Sequence, residues 1–567
     1  MIRSDHADTP ATSSLAQDGA NAVASPAWPP VLTEPSAVRS SGVRALDGFV
    51  VAMAGVLLLG LLFRLPTLAG RSVWMDEAYS YWFANLSWTD LWTKTPFYET
   101  HPPFYYSMLK LWMTIAGSSE TGMRSLSVLA SLATIAVTGF APRWLGFGRR
   151  YDRVGLLAAV LLAVNAGNIE YAQQARPYAL QTLFCTLMVL ASGALLCRML
   201  GASRNARALP GEWPLCACLG LFAGITLWLH DTSPFIVLGN WLGLFGAILV
   251  SSPYRRHDLF VAIKALVIGL LVWAPCVPII LLESKTVESA FWATISPAML
   301  TWPLTLASGG KYAFLAIAVL CALGWLTLYR TRRGVAFYVL AMLFIPMTAI
   351  FAVSYVIKPV FVVRTFEWMA PPVLLLAAFG MDGLLGRANR AAGSRAARRL
   401  LRLWRFAIPV VIALCFVQDG IYYRTPTEDL RGLVNYLAAG RQPGDLVLVY
   451  PNELEVGMDY YTRGVPDPFD VAAVPARYPA VGLHRPYLES NKGAPSAIES
   501  DRPQIERLLA SHARVWFVGD WPGRDGKRDV VTDTLYRHYG APVSSEDFWG
   551  AQVTLFRRHT ATASRAP

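Results

Sequence analysis

Charge is what this 567-residue chain is short of. Asp, Glu, Lys and Arg make up 16% of it, where an average globular chain carries about 25%. Hydrophobic residues reach 54% and gather in repeated long runs, which excludes an ordinary soluble domain and points to a polytopic membrane protein. Cysteine is equally sparse. The seven, Cys185, Cys197, Cys216, Cys218, Cys276, Cys321 and Cys415, all lie in or beside apolar runs, and none follows Cys415. That argues against a disulfide framework. Cys216-x-Cys218 lacks a second ligand pair and falls in a span, so it is not read as a metal site. Repeats of about 20–50 residues are not evident. Residues 1–44, rich in Ala, Ser, Pro and Asp, lack the basic stretch and short apolar core of a cleaved signal peptide. They are expected to form a disordered cytoplasmic tail, with the first span as an uncleaved anchor.

What charge there is has the wrong distribution for nucleic acid. The formal +12 sits mostly in short clusters between apolar runs: Arg149–Arg153, Arg255–Arg256, Arg330–Arg333 and Arg387–Arg405. Such clusters mark cytoplasmic loops. Counting spans from Gly48–Phe63 to Phe406–Gln418 yields about eleven transmembrane helices over residues 45–420, with every strongly basic short loop inside. Phe104–Gly117 is too short for a span of roughly 20 residues and carries Lys110, so it is read as an interfacial helix. Were it a full span, the later basic clusters would face outward. Residues 421–567 change character. Strand candidates Asp445–Tyr450, Arg514–Val518 and Gln552–Arg557 alternate with helical segments, which predicts a small α/β domain outside the membrane. This segment has neither a Walker A lysine motif nor a Gly-x-Gly-x-x-Gly fingerprint.

The stretch from Arg71 to Tyr106 organises the outer face. It follows the first span, opens with Trp74, Asp76 and Glu77, is dense in aromatics, and closes on Glu99, His101, Pro102 and Pro103. Two acids this close to a bilayer are costly unless solvated or paired. The topology brings further ionisable groups to the same side: Glu170, Arg176, His230, Asp231, Lys358 and Arg364. Carboxylates beside cations at headgroup level suit one chemistry well. An acceptor hydroxyl attacks the anomeric carbon of a lipid-linked phosphosugar, a carboxylate takes its proton as general base, and positioned cations receive the leaving phosphate. Each residue also has a plain reading. Asp76-Glu77 could cap a helix, His101-Pro-Pro could start one, Glu170 could pair with Arg176, and Arg176 could snorkel to the headgroups.

The motifs W-x-D-E-A-Y-S, H-P-P-F-Y-Y-x-x-L-x-x-W, S-E-x-x-x-R-S-L-S and Q-x-A-R-P-Y-A-L resemble bacterial membrane glycosyltransferases of the dolichyl-phosphate-mannose protein mannosyltransferase type. The aminoarabinose transferase of lipid A and the rhizobial core-sugar transferases are of this type. The motifs cover about Arg71–Leu180. The resemblance implies the C-type glycosyltransferase fold, an active site facing away from the cytoplasm, a polyprenyl-phosphate monosaccharide donor, an envelope acceptor (lipid, glycan or protein) and commonly inversion at the anomeric carbon. It implies a multi-pass protein of the plasma (inner) membrane, with the N-terminus cytoplasmic. Carried over residue by residue, it makes Asp76, with Glu77 beside it, the catalytic centre, and puts His101, with Glu99 nearby, at the lipid phosphate. Arg176, Glu170, Arg364, Tyr79 and Tyr105 join these as donor- and substrate-binding candidates. No cofactor is required, although Asp76 and Glu77 could bind a divalent cation. The alternatives are an oligosaccharide ligase using a diphosphate-linked donor and, from a different class, a lipid-linked sugar transporter.

Overall fold

The structure, a computed structural model, describes residues 47–99, 101–201, 211–284, 295–357, 359–390, 395–463, 465, 470–483, 493–519 and 529–558, the backbone alone at 385–390 and 395–407. The expected N-terminal tail and Lys358 lie outside the described residues, as do the side chains of the Arg387–Arg405 loop.

Seven described helices are long and apolar enough to cross a membrane, and eight if one bent pair counts as a single span. The sequence-based count of about eleven is higher. The first helix, α1 (Gly48–Arg64), is apolar but has 17 residues, about 26 Å of rise, a little short of the ~30 Å hydrocarbon core. The stretch after α1 holds α2 (Met75–Asn85) and α3 (Pro103–Ala116). At 14 residues α3 is only about 21 Å long. Its Tyr105, Tyr106 and Leu109 are buried while Leu111 and Ile115 are exposed. Then come α4 (Glu120–Trp144), α5 (Asp152–Ala163), α6 (Ala166–Ala172) and α7 (Tyr178–Gly201).

The chain is expected to run straight from Val154 to Ile169; instead α5 and α6 meet at 62°. The cause is Asn165. Its backbone is extended and its side chain accepts the N–H of Asn168, capping a new helix. Helices pack closely where glycine permits: a Cβ on Gly155 would lie 2.0 Å from the carbonyl oxygen of Gly139, and one on Gly324 2.0 Å from that of Leu376.

Beyond the helix Arg395–Arg424 the chain builds a five-stranded sheet from β1 (Leu446–Tyr450), β2 (Asp470–Ala473), β3 (Arg514–Gly519), β4 (Ser544–Phe548) and β5 (Ala551–Arg557), in the order β2-β1-β3-β5-β4. β1 pairs in parallel with β2 and β3; β5 runs antiparallel to β3 and to β4. Alternation along β1 feeds two cores. Val447 and Val449 pack with Leu433 and Leu437 of the helix Leu430–Gly440. Leu446 and Leu448 pack with Ile505, Leu509, Val531 and Leu535. Three strands match the expected positions; β2 and β4 were not foreseen.

This segment grips the stretch after α1. Tyr461 accepts the N–H of Val73 at 2.7 Å and donates to Glu120 at 2.9 Å. Arg431 donates to the carbonyls of Ala69 and Arg71 and pairs with Glu120 at 2.6 Å. Tyr79 of α2 donates to Glu453 at 2.7 Å.

Candidate active site

Helix α2 sets the site. Its N-cap, Trp74, is extended and offers no capping bond. The N–H of Met75 instead donates to the carboxylate of Glu428, at 2.6 Å, from beyond the last long helix. Asp76 and Glu77 occupy the first turn, where unpaired N–H groups and the helix dipole favour negative charge. Successive helical residues are about 100° apart, so the two acids leave α2 in different directions.

Asp76 turns toward two guanidiniums. Its Oδ2 lies 3.2 Å from Nη1 of Arg364 and 3.6 Å from Nη2 of Arg176. Arg176 also donates to the main-chain oxygen of Asp76, at 3.0 Å, and its Nε is buried with no partner among the described residues. Arg176 sits in the turn between α6 and α7, ahead of Pro177; Arg364 sits on a 3-10 turn, Val363–Met369. Burial pushes the Asp76 carboxyl up, but Arg176, Arg364 and His101 outweigh it and hold the group below its ordinary value.

Glu77 is enclosed. It is fully buried. Arg124 of α4 donates from Nε to its Oε1 at 2.8 Å and from Nη2 to its Oε2 at 2.6 Å, and the N–H of Ala175 reaches Oε1 at 2.7 Å. The other Arg124 bonds go to the carbonyls of Leu68, Arg71 and Ser72. Asp76 and Glu77 thus have separate arginine partners. No group of three or more His, Cys, Asp or Glu among the described residues is arranged to hold a metal ion.

His101 and Glu99 form a second cluster. His101 Nδ1 lies 2.7 Å from Glu99 Oε1, and its ring meets that of His230 edge to face with centroids 4.8 Å apart. Burial and the nearby His101, Arg176 and Arg364 hold His230 well below its usual pKa; burial and Glu99 drive the Asp231 carboxyl well up. Tyr79 donates to Glu453, and Tyr105 is buried against Tyr106.

Glu170 lies in neither cluster. It lines a cavity of about 340 Å³ with Trp74, Gln174, Arg364, Glu428 and Trp549 among its walls. Glu77 of α2 and Arg364 are also among its lining residues.

Sequence reasoning passed over Arg124, Glu120, Glu428 and Glu367. The first two stand in S-E-x-x-x-R-S-L-S, and a charge at the mouth of an apolar run is a signal in its own right. Glu367 accepts from Asn168 and Thr182. Asn168 in turn accepts from Arg64, which is fully buried. This network ties the turn that carries Arg364 to α1, α6 and α7.

No protein-family model and no curated protein sequence matches the chain. Solved structures do. ArnT from Cupriavidus metallidurans bound to undecaprenyl phosphate superposes with a TM-score of 0.58 at 15% identity, over 90% of this chain and 98% of that one. Its apo form has a TM-score of 0.57 at 14% identity, over 89% and 97%. The Archaeoglobus fulgidus oligosaccharyltransferase in apo form has a TM-score of 0.52 at 11% identity, over 83% and 69%. The helical scaffold thus has a C-type glycosyltransferase fold, as the sequence motifs imply.

Proposed function

We propose that the chain is a membrane glycosyltransferase that moves a monosaccharide from a polyprenyl phosphate to a cell-envelope acceptor on the outer side of the plasma membrane. One observation carries the reading. A carboxylate at the start of an outer helix is held between two guanidiniums, one of them with an unspent buried N–H. The relative bound to undecaprenyl phosphate supports the donor class. Eleven spans, with residues 1–44 inside and residues 421–567 outside, complete the topology.

In this reading Asp76 is the general base, and Arg176, Arg364 and His101, steadied by Glu99, receive the phosphate. The acceptor oxygen bonds to the anomeric carbon as the bond from that carbon to the phosphate oxygen breaks. The hydroxyl proton passes to Asp76, and the electron pair leaves on the phosphate. A carboxylate held down by cations is a weak base. An arriving phosphate shares those cations, loosens their hold and lets burial raise the Asp76 pKa, so the donor itself strengthens the base. Glu77 is a positioning residue that fixes α2 through Arg124. The sheet segment roofs the site and docks the acceptor.

Mass spectrometry of envelope glycans and polyprenyl-phosphate sugars, with and without the protein, tests this. Loss should remove one monosaccharide from an envelope glycan and accumulate a polyprenyl-phosphate monosaccharide. Accumulation of a diphosphate-linked oligosaccharide instead would move the chain to the ligases, and no change in either pool would end the reading.

A further inference from the structure

The 340 Å³ cavity at the head of α2, lined by Trp74 and Glu77, falls in the usual size range of ligand pockets, about 300–1,000 Å³, and its walls define what it takes. Arg364, which reaches Asp76, and Trp74, two residues before it, form the wall toward the carboxylate. Tyr422 and Trp549 line it as well. Trp549 is 62% exposed, on the turn between β4 and β5. The N–H of Asp429 donates to its carbonyl at 3.0 Å, and Gly550, at φ +98°, closes the turn. Two buried polar atoms lining the space, Trp74 Nε1 and Gln174 Oε1, have no partner among the described residues.

Charge excludes the other candidates. Glu170 and Glu428 line the cavity, so an entering phosphate or carboxylate meets negative charge. Two of the cations there are engaged within the protein. Arg71 stacks 4.2 Å above the Tyr422 ring and donates to the Tyr422 carbonyl at 2.6 Å, and Arg124 is spent on Glu77; Arg364, which reaches Asp76, is taken by the donor phosphate in the reading above. A lipid chain would strand these polar groups without water. A neutral sugar fits all of them. Its apolar ring face stacks on an aromatic side chain with a polar edge, its hydroxyls donate to carboxylate and amide oxygens, and they accept from an indole N–H.

We propose that this cavity is the acceptor subsite and that it takes an uncharged pyranose, so that the acceptor is the neutral end of a glycan and not a lipid phosphate or an acidic sugar. This rests on the glycosyltransferase reading above, and the test separates the two. The full-length protein in detergent is presented with methyl α-D-glucopyranoside, methyl β-D-galactopyranoside, glucuronate and inorganic phosphate, with binding read by saturation-transfer NMR. Binding of undecaprenyl phosphate is measured in parallel. At least one neutral glycoside should bind. Glucuronate and phosphate should neither bind there nor displace it. Trp549→Ala and Gln174→Leu should each weaken the sugar by at least about tenfold, the loss of one aromatic or buried polar anchor, while leaving undecaprenyl phosphate binding within twofold. No glycoside signal, a signal indifferent to both cavity variants, or displacement by phosphate or glucuronate overturns the proposal even if the lipid phosphate still binds. Loss of lipid phosphate binding in the wild type would instead count against the glycosyltransferase reading.

Discussion

Asp76 and Glu77 are neighbours in sequence, both acidic, both opposite arginine, yet they sit in opposite kinds of cluster. Around Glu77 both carboxylate oxygens accept hydrogen bonds, and Arg124 spends its remaining donors on the loop from Leu68 to Ser72. Nothing is left over for a ligand. Around Asp76 the contacts are longer, at 3.2 and 3.6 Å, the side chain keeps 24% of its surface, and the Arg176 Nε is unspent. A closed ion pair holds a fold together because all of its capacity is used. An open one can exchange a protein partner for a substrate. The difference between the two acids, more than the presence of two, locates the chemistry.

The comparison breaks first at Asp76. Asp76→Asn keeps the shape and removes the proton acceptor. It should cost roughly 100- to 10,000-fold in turnover, the usual contribution of a positioned base, with the fold intact and donor binding held or tightened, because the cations that Asp76 shares with the phosphate are released. Single-turnover sugar transfer and donor binding in detergent measure both. A folded Asp76→Asn enzyme within a few-fold of wild type would end the assignment. A larger loss of turnover in a folded Glu77→Gln enzyme would move the base by one residue.

The next effect lies on the closed side and falls on stability. Arg124→Met leaves the Glu77 carboxylate buried and unpaired, which should cost about 3–5 kcal/mol. Adding Glu77→Gln should recover much of that loss, because the stranded charge is gone. Thermal unfolding of the two single variants and the double variant gives the coupling. Additive losses would mean that the pair is no closed unit.

A smaller change sharpens the open side. Arg364→Gln removes one of the cations that outweigh burial at Asp76. The sign follows from that balance. The Asp76 pKa is held below its ordinary value of 3.8, so the proposed base stays ionised until the pH falls through that lowered value. Without Arg364 its pKa rises, and the acid limb of kcat/KM, which reports the free enzyme, should move to higher pH. Donor affinity should fall as well. A limb that stays in place while affinity falls would assign Arg364 to phosphate binding alone.

Much of this was legible in the sequence, and the gaps have physical reasons. Apolar runs mark helices because the bilayer demands continuous internal hydrogen bonding, so α4 and α7 lie where hydropathy puts them. The break at Asn165 is a side chain capping a helix, which an apolar average hides. β4 reads Ser-Ser-Glu-Asp-Phe and is largely exposed; it is a strand because β5 offers a free edge, and its own pattern carries no period-two signal. In the site, Asp76, Arg176 and Arg364 stand out as charges beside apolar runs, but their meeting depends on a 3-10 turn and a helix break far apart in the chain. The separation of Asp76 from Glu77 was within reach, since adjacent acids on a helix cannot share one face.

The smallest expected effect tests how α2 is aimed. The Met75 N–H at the head of α2 finds its acceptor in Glu428, one residue before Asp429, which caps the helix Leu430–Gly440. A charged acceptor for an otherwise uncapped helix start contributes about 1 kcal/mol through the hydrogen bond and the helix dipole. Glu428→Gln keeps an oxygen there and removes the charge; Glu428→Ala removes both. If the sheet segment aims Asp76 through this bond, turnover should fall a few-fold in Glu428→Gln and further in Glu428→Ala, with donor binding held, because the phosphate cations lie on other elements. Glu428 also lines the cavity, so acceptor affinity must be read separately, from transfer rates at saturating glycoside. A loss that vanishes at saturation belongs to the cavity and leaves α2 aimed without Glu428. A loss that persists at saturation belongs to the cap.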